Sequence, residues 1–326
     1  MKHRYSLDGY AYRLRPVKMT DAKFIVETRL EDLERNQFIH RISPDVSEQE
    51  KWLEAYFERE NDYYFIVENR VTGNAEGLIS IYDVMDGKAE WGRWVLKKGS
   101  LASAESVYLL YRIAFEQIGL NELYCRTIAD NVSVVSFHTS IGEKLRQVHK
   151  EIFFLNGQMY DAVEQYADKE HFYAEIAPRL EKQAQMILQR SLKREFSGFE
   201  FHHIGVATKS IEKELPIYTM LGYTKEGNVF TDHAQGINGL FLAAKGHPRL
   251  ELLENTAESH TLDKQLASNN KMYHTAYYVG DIEKAVAVLT RNRAKIISPL
   301  KESVYFGKRI CFLMLPNMGM IELLEK

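Results

Sequence analysis

The sequence has few cysteines and no long apolar segment. Only Cys125 and Cys311 occur in 326 residues, and they lie far apart without the C-x-x-C spacing of zinc or redox motifs. They are therefore expected to be free thiols in a reducing compartment. No apolar run approaches the ~18 residues that a membrane helix needs, and the start of the chain shows no apolar signal segment. These absences predict a cytoplasmic protein that does not associate with membranes.

The charge of the chain is nearly balanced. It has 42 Lys and Arg against 45 Asp and Glu, which gives a formal net charge of −3. A nucleic-acid-binding protein normally shows a basic excess, so we expect small-molecule substrates and no nucleic-acid partner. The hydrophobic share of 45% is typical of globular chains, and the length suggests about two domains.

The last third of the chain repeats one pattern at an offset of 71 residues. His203 is followed 48 positions later by Glu251, and His274 is followed at the same distance by Glu322. The tetrapeptide Glu-Leu-Leu-Glu that begins at Glu251 also recurs at Glu322. A repeat of this kind indicates a duplicated supersecondary unit. A single His is usually a polar residue whose hydrogen bonds are satisfied within the protein. Residues without a shared role, however, would not be expected to recur at the same offset in both copies of a duplication. Two His and two Glu suit Zn²⁺, Co²⁺, Mn²⁺, Fe²⁺ or Ni²⁺, so the repeat predicts a metal site.

The pattern of strands and helices divides the chain into three parts. Residues 1–172 mix strands with helices, and residues 173–198 form a connecting helix. Residues 199–326 are the duplicated module, with repeats at 199–262 and 270–326. In each repeat a His-bearing strand precedes a helix and further strands, and the final strand carries the Glu. The chain is therefore predicted to be a two-domain α+β protein.

The duplicated part resembles the vicinal oxygen chelate superfamily, which includes glyoxalase I, bleomycin-resistance proteins and methylmalonyl-CoA epimerase. The opening strand Phe201–Ala207 carries the likeness, and the epimerase pattern is matched by Arg249–Leu253, Met272–Ile282 and Gly319–Leu323. The resemblance implies two βαβββ modules around one divalent metal ion.

The same resemblance implies a ligand set and a reaction. His203, Glu251, His274 and Glu322 fill the four ligand positions of the family, and Glu251 and Glu322 are also the candidates for the base. The implied reaction is abstraction of an α-proton, with the enolate stabilised by the metal, on a substrate such as an acyl-CoA thioester.

One stretch departs from the epimerase pattern. Where some epimerases place a separate carboxylate base, this chain reads Gly236–Gly239. Asp232 or His233 could take that role. Extradiol dioxygenase chemistry is less favoured, because it uses two His and one Glu with further pocket residues that this sequence does not show.

Residues from about 10 to 172 resemble the GNAT N-acetyltransferases, which implies a mixed central sheet flanked by helices and acetyl-CoA as a substrate. The segments that carry the likeness are Arg13–Val17, Asp21, Ala89–Gly92, Asn131–Ser133 and Gly142. In the family a glycine-rich loop opens a helix whose N-terminal amides hold the CoA diphosphate. Here most of the glycines are replaced. The candidate CoA-binding residues are Lys97, Lys98, Gly99, Ser100, Ala102, Ser103, Ala104 and Asn131.

Two residues are the candidates for the predicted acetyl transfer, His138 as the acid and Glu90 as the base. His138 stands where the family usually has the Tyr that protonates the leaving thiolate, and Glu143 replaces the usual Phe after Gly142. Glu90 is the candidate base, although it could equally be a solvated strand residue.

The leading hypothesis is a bifunctional enzyme, with an acetyl-CoA-dependent N-acetyltransferase fused to a metal-dependent epimerase-like or lyase-like domain. An amino-sugar nucleotide is the suggested acceptor. One alternative is an antibiotic-resistance protein that sequesters a drug, and another is a degenerate acetyltransferase fold that serves as an interaction module. Each chain carries a whole predicted metal site, so the sequence fits a monomer as well as a homodimer.

Overall fold

The computed structural model describes residues 3–326, and it divides into two compact units that meet in sequence between Leu192 and Lys193. Each unit is built on its own eight-stranded sheet with helices beside it. The architecture is therefore two-domain α+β, as predicted. Among the described residues, no helix combines the length and apolar content needed to cross a bilayer.

The first sheet is mixed and has the strand order β1-β2-β3-β4-β5-β6-β8-β7. Its strands are β1 Leu7–Asp8, β2 Tyr12–Pro16, β3 Tyr63–Asn69, β4 Ala75–Met85, β5 Lys88–Leu96, β6 Glu122–Ile128, β7 Lys144–Leu155 and β8 Gln158–Asp168. Neighbouring strands are antiparallel, except that β5 and β6 run parallel.

The helices of this unit begin and end at local signals. Asp45 caps the second helix by accepting a hydrogen bond from the Ser47 amide, and Gly119 and Gly142 end two others in the left-handed region. The helices are α1 Ala22–Leu30, α2 Val46–Phe57, α3 Ser103–Arg112, α4 Val132–Ile141, α5 Lys169–His171 and α6 Ala177–Phe196. A wider helical turn extends α3 over Ile113–Ile118.

Strands β5 and β6 pair over three residues only, Lys88–Glu90 against Glu122–Tyr124. The strands then separate. Near the point of separation β5 carries a bulge opposite β4, where Arg93 has φ +47°. A bulge bends a strand and redirects its side chains, so β5 turns away from β6 and opens a cavity between them.

The second sheet has the order β10-β11-β12-β9-β13-β16-β15-β14. Its strands are β9 Glu200–Ala207, β10 Thr224–Asp232, β11 Ile237–Ala243, β12 Leu250–Asn255, β13 Met272–Val279, β14 Lys295–Ser303, β15 Lys308–Met314 and β16 Met320–Glu325. The helices beside it are α7 Ile211–Met220, α8 Asp263–Ala267 and α9 Ile282–Arg291.

The second unit is a structural duplication, as the sequence repeat predicts. The first module runs β9-α7-β10-β11-β12 and the second β13-α9-β14-β15-β16. Ser210 and Asp281, which are 71 residues apart, cap the two equivalent helices by accepting hydrogen bonds from backbone amides. The modules join where β9 pairs antiparallel with β13. Each module therefore places its first strand in the middle of the sheet.

Candidate functional site

Four side chains from the four central strands of the second sheet meet in one place. His203, Glu251, His274 and Glu322 lie on β9, β12, β13 and β16, and each is at least 94% buried. His203 Nε2 lies 3.2 Å from His274 Nε2, 3.0 Å from Glu251 Oε2 and 3.4 Å from Glu322 Oε2. His274 Nε2 lies 3.5 Å from Glu322 Oε2. The structure thus brings together all four predicted ligands.

The strand register explains the convergence. Glu251 pairs beside Gly205 on β9, and Glu322 pairs beside Ala276 on β13. Because alternate residues of a strand share a face, His203 and Gly205 point the same way. A Cβ atom on Gly205 would lie 1.9 Å from the His274 ring, so the glycine provides the space that the ring occupies.

The donor set fits a divalent cation. About 3.4 Å separates neighbouring ligand atoms around a tetrahedral ion with bonds of about 2.1 Å, which agrees with the observed spacing. His274 Nδ1 is buried without a hydrogen-bond partner among the described residues. His203 Nδ1, in contrast, lies 2.8 Å from His202 Nδ1. Ligating imidazoles usually have such a contact on the second nitrogen, so only one of the two is oriented in this way.

Burial dominates the electrostatics of the four-residue cluster. It lowers the pKa of His203 to about 3 and raises the pKa of Glu251 to about 7. The imidazole of His203 is therefore neutral and can offer its lone pair, whereas the glutamate ionises reluctantly without a nearby cation.

An aromatic pair covers the cluster. Phe230 and Tyr305 stack with ring centroids 4.0 Å apart, and the free space beneath them is about 20 Å³. Asp232, one of the two substitute bases, is buried and lines this space, but its carboxylate accepts two hydrogen bonds of 2.9 Å from Gln235. His233, the other, is exposed and does not line it.

The first unit contains a cavity of about 450 Å³ between the separated strands β5 and β6. Aromatic side chains form much of its wall, among them Trp52, Trp91 and Trp94. Trp94 donates a hydrogen bond from its indole N–H to Ser106 on α3 at 3.2 Å. Asn131, a predicted CoA-binding residue, also lines the cavity.

His138 lines the same cavity and is backed by a buried carboxylate. His138 Nδ1 lies 3.1 Å from Glu143 Oε2, and both side chains are almost fully buried. Tyr111 donates to Glu143 Oε1 at 2.7 Å, and the Cys125 thiol donates to Glu143 Oε2 at 3.5 Å. Burial and the Glu143 carboxylate raise the pKa of the Cys125 thiol, so it remains a protonated donor. Two donor groups, the Tyr111 hydroxyl and the Cys125 thiol, therefore hold the one carboxylate beside the His138 ring.

The predicted base Glu90 is buried and held by two neighbours. Arg126 Nε donates to Glu90 Oε2 at 2.9 Å, and the Tyr82 hydroxyl lies 3.3 Å from Glu90 Oε1. Burial raises the pKa of Glu90, while the Arg126 guanidinium opposes this effect. Arg126 and Tyr82 line the cavity and Glu90 does not. Glu90 is therefore connected to the cavity only through its contacts with these two side chains.

The predicted CoA loop leads into α3. Ala102 stands at the N-cap of this helix without a side-chain cap, which leaves backbone amides for an anion. Gly99 has φ +77°, and the Lys98 amide donates to the Glu31 carboxylate at 2.8 Å. The loop thus presents an amide to an oxygen anion, which fits a CoA diphosphate, although Glu31 has to move for one to bind there.

Glu143 and Arg126 are the two side chains of this site that sequence reasoning did not assign a role. The only signal for Glu143 is a carboxylate that replaces Phe directly after a helix-ending glycine. Arg126 lies on β6, and its partner Glu90 is 36 residues away in sequence.

Two family profiles match the chain. Residues 14–163 match the acetyltransferase (GNAT) domain, and residues 202–312 match the glyoxalase/bleomycin resistance protein/dioxygenase superfamily. No curated protein matches.

Solved structures also resemble part of the chain. A GCN5-related N-acetyltransferase from Brucella melitensis is 17% identical, with a TM-score of 0.49, over 57% of this chain and 86% of that one. The apo form of FdhC, a nucleotide-linked sugar GNAT, is 24% identical, with a TM-score of 0.45, over 54% and 99%. A spermidine N-acetyltransferase SpeG variant from Vibrio cholerae is 17% identical, with a TM-score of 0.45, over 51% and 98%. By its two profile matches, the chain contains a GNAT acetyltransferase domain at residues 14–163, followed by a domain of the glyoxalase/bleomycin resistance protein/dioxygenase superfamily at residues 202–312.

Proposed function

We propose that the chain is a bifunctional enzyme. In this proposal the first domain transfers an acetyl group from acetyl-CoA to a primary amine, and the second binds one divalent ion and moves a proton next to a carbonyl group. The observation that carries the proposal is the meeting of four buried donor side chains from duplicated positions, with ligand-like separations of 3.0–3.4 Å from His203 Nε2 to the other three. Ionisable groups are rarely gathered in a protein interior without a functional reason.

His203, His274, Glu251 and Glu322 are the proposed ligands of that ion. When bound, a divalent ion supplies Lewis-acid polarisation of a substrate oxygen. Glu251 and Glu322 also remain the candidates for the proton acceptor, because both carboxylates face the space in which a substrate would lie.

A substrate has to displace part of the aromatic cover to reach this cluster. The free space of about 20 Å³ has room for about one water molecule. Tyr305 lies between β14 and β15 and is 40% exposed, so its movement needs little rearrangement of the core. The second candidate function, a ligand-binding module without turnover, rests on the match of residues 202–312 to a profile that includes bleomycin resistance proteins.

The acetyl transfer is assigned to His138 and Glu143. In this proposal Nδ1 of His138 faces the Glu143 carboxylate and Nε2 is the nitrogen that accepts a proton. Nε2 takes a proton from the amine as the amine nitrogen bonds to the thioester carbon. The carbon–sulfur bond then breaks, and the imidazolium returns the proton to the CoA thiolate. Glu143 stabilises the charged ring between these steps.

Two assays separate the domains. Acetyl-CoA-dependent thiol release in the presence of amines tests the first, and the expected result is amine-dependent release that His138→Ala reduces by about 10²–10⁴-fold. Deuterium incorporation from D₂O into an acyl-CoA thioester by the Zn²⁺-, Co²⁺- or Mn²⁺-loaded chain tests the second. Bound metal without deuterium incorporation would favour the binding module over the proton-transfer enzyme.

A further inference from the structure

The cavity of the acetyltransferase domain is lined by arginines but by no carboxylate. Among residues 3–326, its lining includes Arg29, Arg93, Arg126, His40 and His138, but no Asp and no Glu. An amine acceptor with further positive charges, such as a polyamine, needs carboxylates in its binding site. This cavity offers the opposite charge.

Glu143 behind His138 is held by Tyr111 and Cys125, and two more carboxylates just behind the wall are paired with arginines. Asp62 accepts two hydrogen bonds from Arg93, at 2.6 and 3.0 Å, and Glu90 is held by Arg126. Bidentate pairs of this kind are among the stronger charged contacts in proteins. None of these carboxylates is therefore free to bind a cationic acceptor.

Two of the aromatic faces that could bind a cation are also covered. The Arg93 guanidinium lies 4.6 Å from the centre of the Tyr82 ring, and that of Arg59 lies 5.0 Å from the Trp52 ring. Cation–π contacts at these distances use the face of the ring. The positive partner of each ring is thus supplied by the protein.

Arg29 differs from the other two arginines of the wall. Its Nη2 donates to the His40 carbonyl oxygen at 2.6 Å, but its Nε is buried and has no hydrogen-bond partner in the described chain. No described carboxylate lies within ion-pairing distance of it, whereas Arg93 and Arg126 each have one. The Arg29 side chain also interacts with the Tyr64 hydroxyl. An unsatisfied donor on a buried part of a cation is costly, so Arg29 is the arginine of the wall that has a donor left for an anion in the cavity.

That anion is distinct from the diphosphate of CoA. None of residues 97–104, which form the loop before α3 and the start of that helix, lines the cavity. Arg29 instead shares the cavity with Trp52 and Tyr64.

We propose that the acetyl acceptor is an amine that also carries a phosphate or carboxylate group, and that Arg29 binds this group. That this amine accepts an acetyl group rests on the proposed function of the domain, whereas the anion site rests on the cavity alone. The amine then lies toward His138, and the anion lies toward Arg29.

The test uses equilibrium binding, because the three tryptophans of the chain, Trp52, Trp91 and Trp94, all line the cavity. Their fluorescence reports occupancy there. The probes are glucosamine 6-phosphate against glucosamine, phenylalanine against phenylethylamine, and spermidine. The first pair tests a phosphate and the second a carboxylate. We expect at least one anionic probe to bind roughly 10- to 100-fold more tightly than its partner without the anion, and we expect spermidine to bind weakly.

Arg29→Gln is expected to remove this preference without changing the affinity for acetyl-CoA. Arg112→Gln, which affects an arginine paired with Glu116 away from the cavity, should leave the preference intact. Spermidine binding as tightly as the anionic probes would overturn the proposal. So would an unchanged preference in Arg29→Gln, or no binding of either anionic probe at roughly 10 mM. Anion binding without any acetyl transfer would instead count against the proposed function alone.

Discussion

His203 Nε2 and His274 Nε2 lie 3.2 Å apart, although 71 residues separate them in sequence. Their strands are antiparallel neighbours, and the register pairs His203 with Ala276 and His274 with Gly205. Each histidine thus lies opposite a small residue of the other module. One module alone would supply one His and one Glu, so the four-residue cluster forms only because the two modules pair with each other.

Gly205 is the residue whose substitution should damage the cluster most selectively. In Gly205→Ala the new Cβ would meet the His274 ring at 1.9 Å, and the ring would have to leave its position. We expect the loss of metal binding from a chain that still folds, measured by metal content and circular dichroism. Gly280→Ala is the matched control, since a Cβ there meets nothing within 4 Å. Full metal content in Gly205→Ala would show that His274 is dispensable.

Glu143 is expected to act through His138. Glu143→Gln removes the charge that stabilises the imidazolium and should lower kcat by about 10²–10⁴-fold. The KM for acetyl-CoA should change little. A fall in kcat as large in Glu143→Asp as in Glu143→Gln would show that the carboxylate charge alone does not carry this role. Glu164→Gln, at a buried carboxylate paired with Arg146 and His149, controls for the loss of any buried charge.

Glu31 is expected to compete with acetyl-CoA for the loop before α3. Its carboxylate accepts the Lys98 amide at 2.8 Å, in a position that suits a phosphate oxygen. Glu31→Gln should therefore lower the Kd for acetyl-CoA by roughly three- to tenfold, measured by calorimetry. Glu34→Gln, a nearby exposed substitution, should have no effect. Weaker binding in Glu31→Gln would mean that the carboxylate organises the loop for CoA.

Glu105 should make the stability of the chain depend on pH. It is fully buried on α3, and burial raises its pKa from 4.5 to about 7, against the hydrogen bonds that it accepts from the backbone of β2 and the residues before it. A raised pKa in the folded state means that the folded chain holds the proton more tightly. The stabilising contribution of the protonated form is therefore complete below about pH 4.5 and is lost as the pH rises through about 7.

The size of this effect is roughly 3 kcal/mol across that interval. It is measured as the free energy of unfolding of the wild type relative to Glu105→Gln at several pH values. Glu116, whose pKa is lowered mainly by its hydrogen bond from Arg112, should show the opposite sign, with stability lost as the pH falls. A flat difference for Glu105 would show that its hydrogen bonds from the β2 segment fully compensate for its burial.

The C-terminal fold and cluster could be predicted because the information is repeated in the sequence. A fixed offset identifies equivalent residues, and equivalent residues of two modules meet at a pseudo-twofold axis. The sequence could not show that Gly205 makes room for His274, because that contact depends on the register between β9 and β13. Phe230 belongs to the first module and Tyr305 follows β14 of the second, so the sequence did not predict their contact either.

The N-terminal domain shows where such reasoning stops. Strand and helix patterns predict its elements, and the cavity residues Asn131 and His138 were found through the family resemblance. The pair of Arg126 with Glu90 and the support of His138 by Glu143 are contacts between different elements. Because no internal repeat was found in this domain, the spacing of residues in the sequence does not predict these contacts. Arg29 lies near the end of α1, and nothing in the sequence around it distinguishes it from a solvated surface charge.

Bound metal per chain is the most direct test of the central claim. Elemental analysis of the wild type, His203→Ala, Glu322→Ala and the control Glu325→Ala, whose partly exposed carboxylate pairs with Arg309, decides it. The account predicts about one divalent ion per chain in the wild type and in the control. It also predicts loss of that ion in the two ligand variants. A wild-type chain that takes up no metal after incubation with Zn²⁺, Co²⁺ or Mn²⁺ would contradict the account, and the duplicated histidines and glutamates would then have only a structural role.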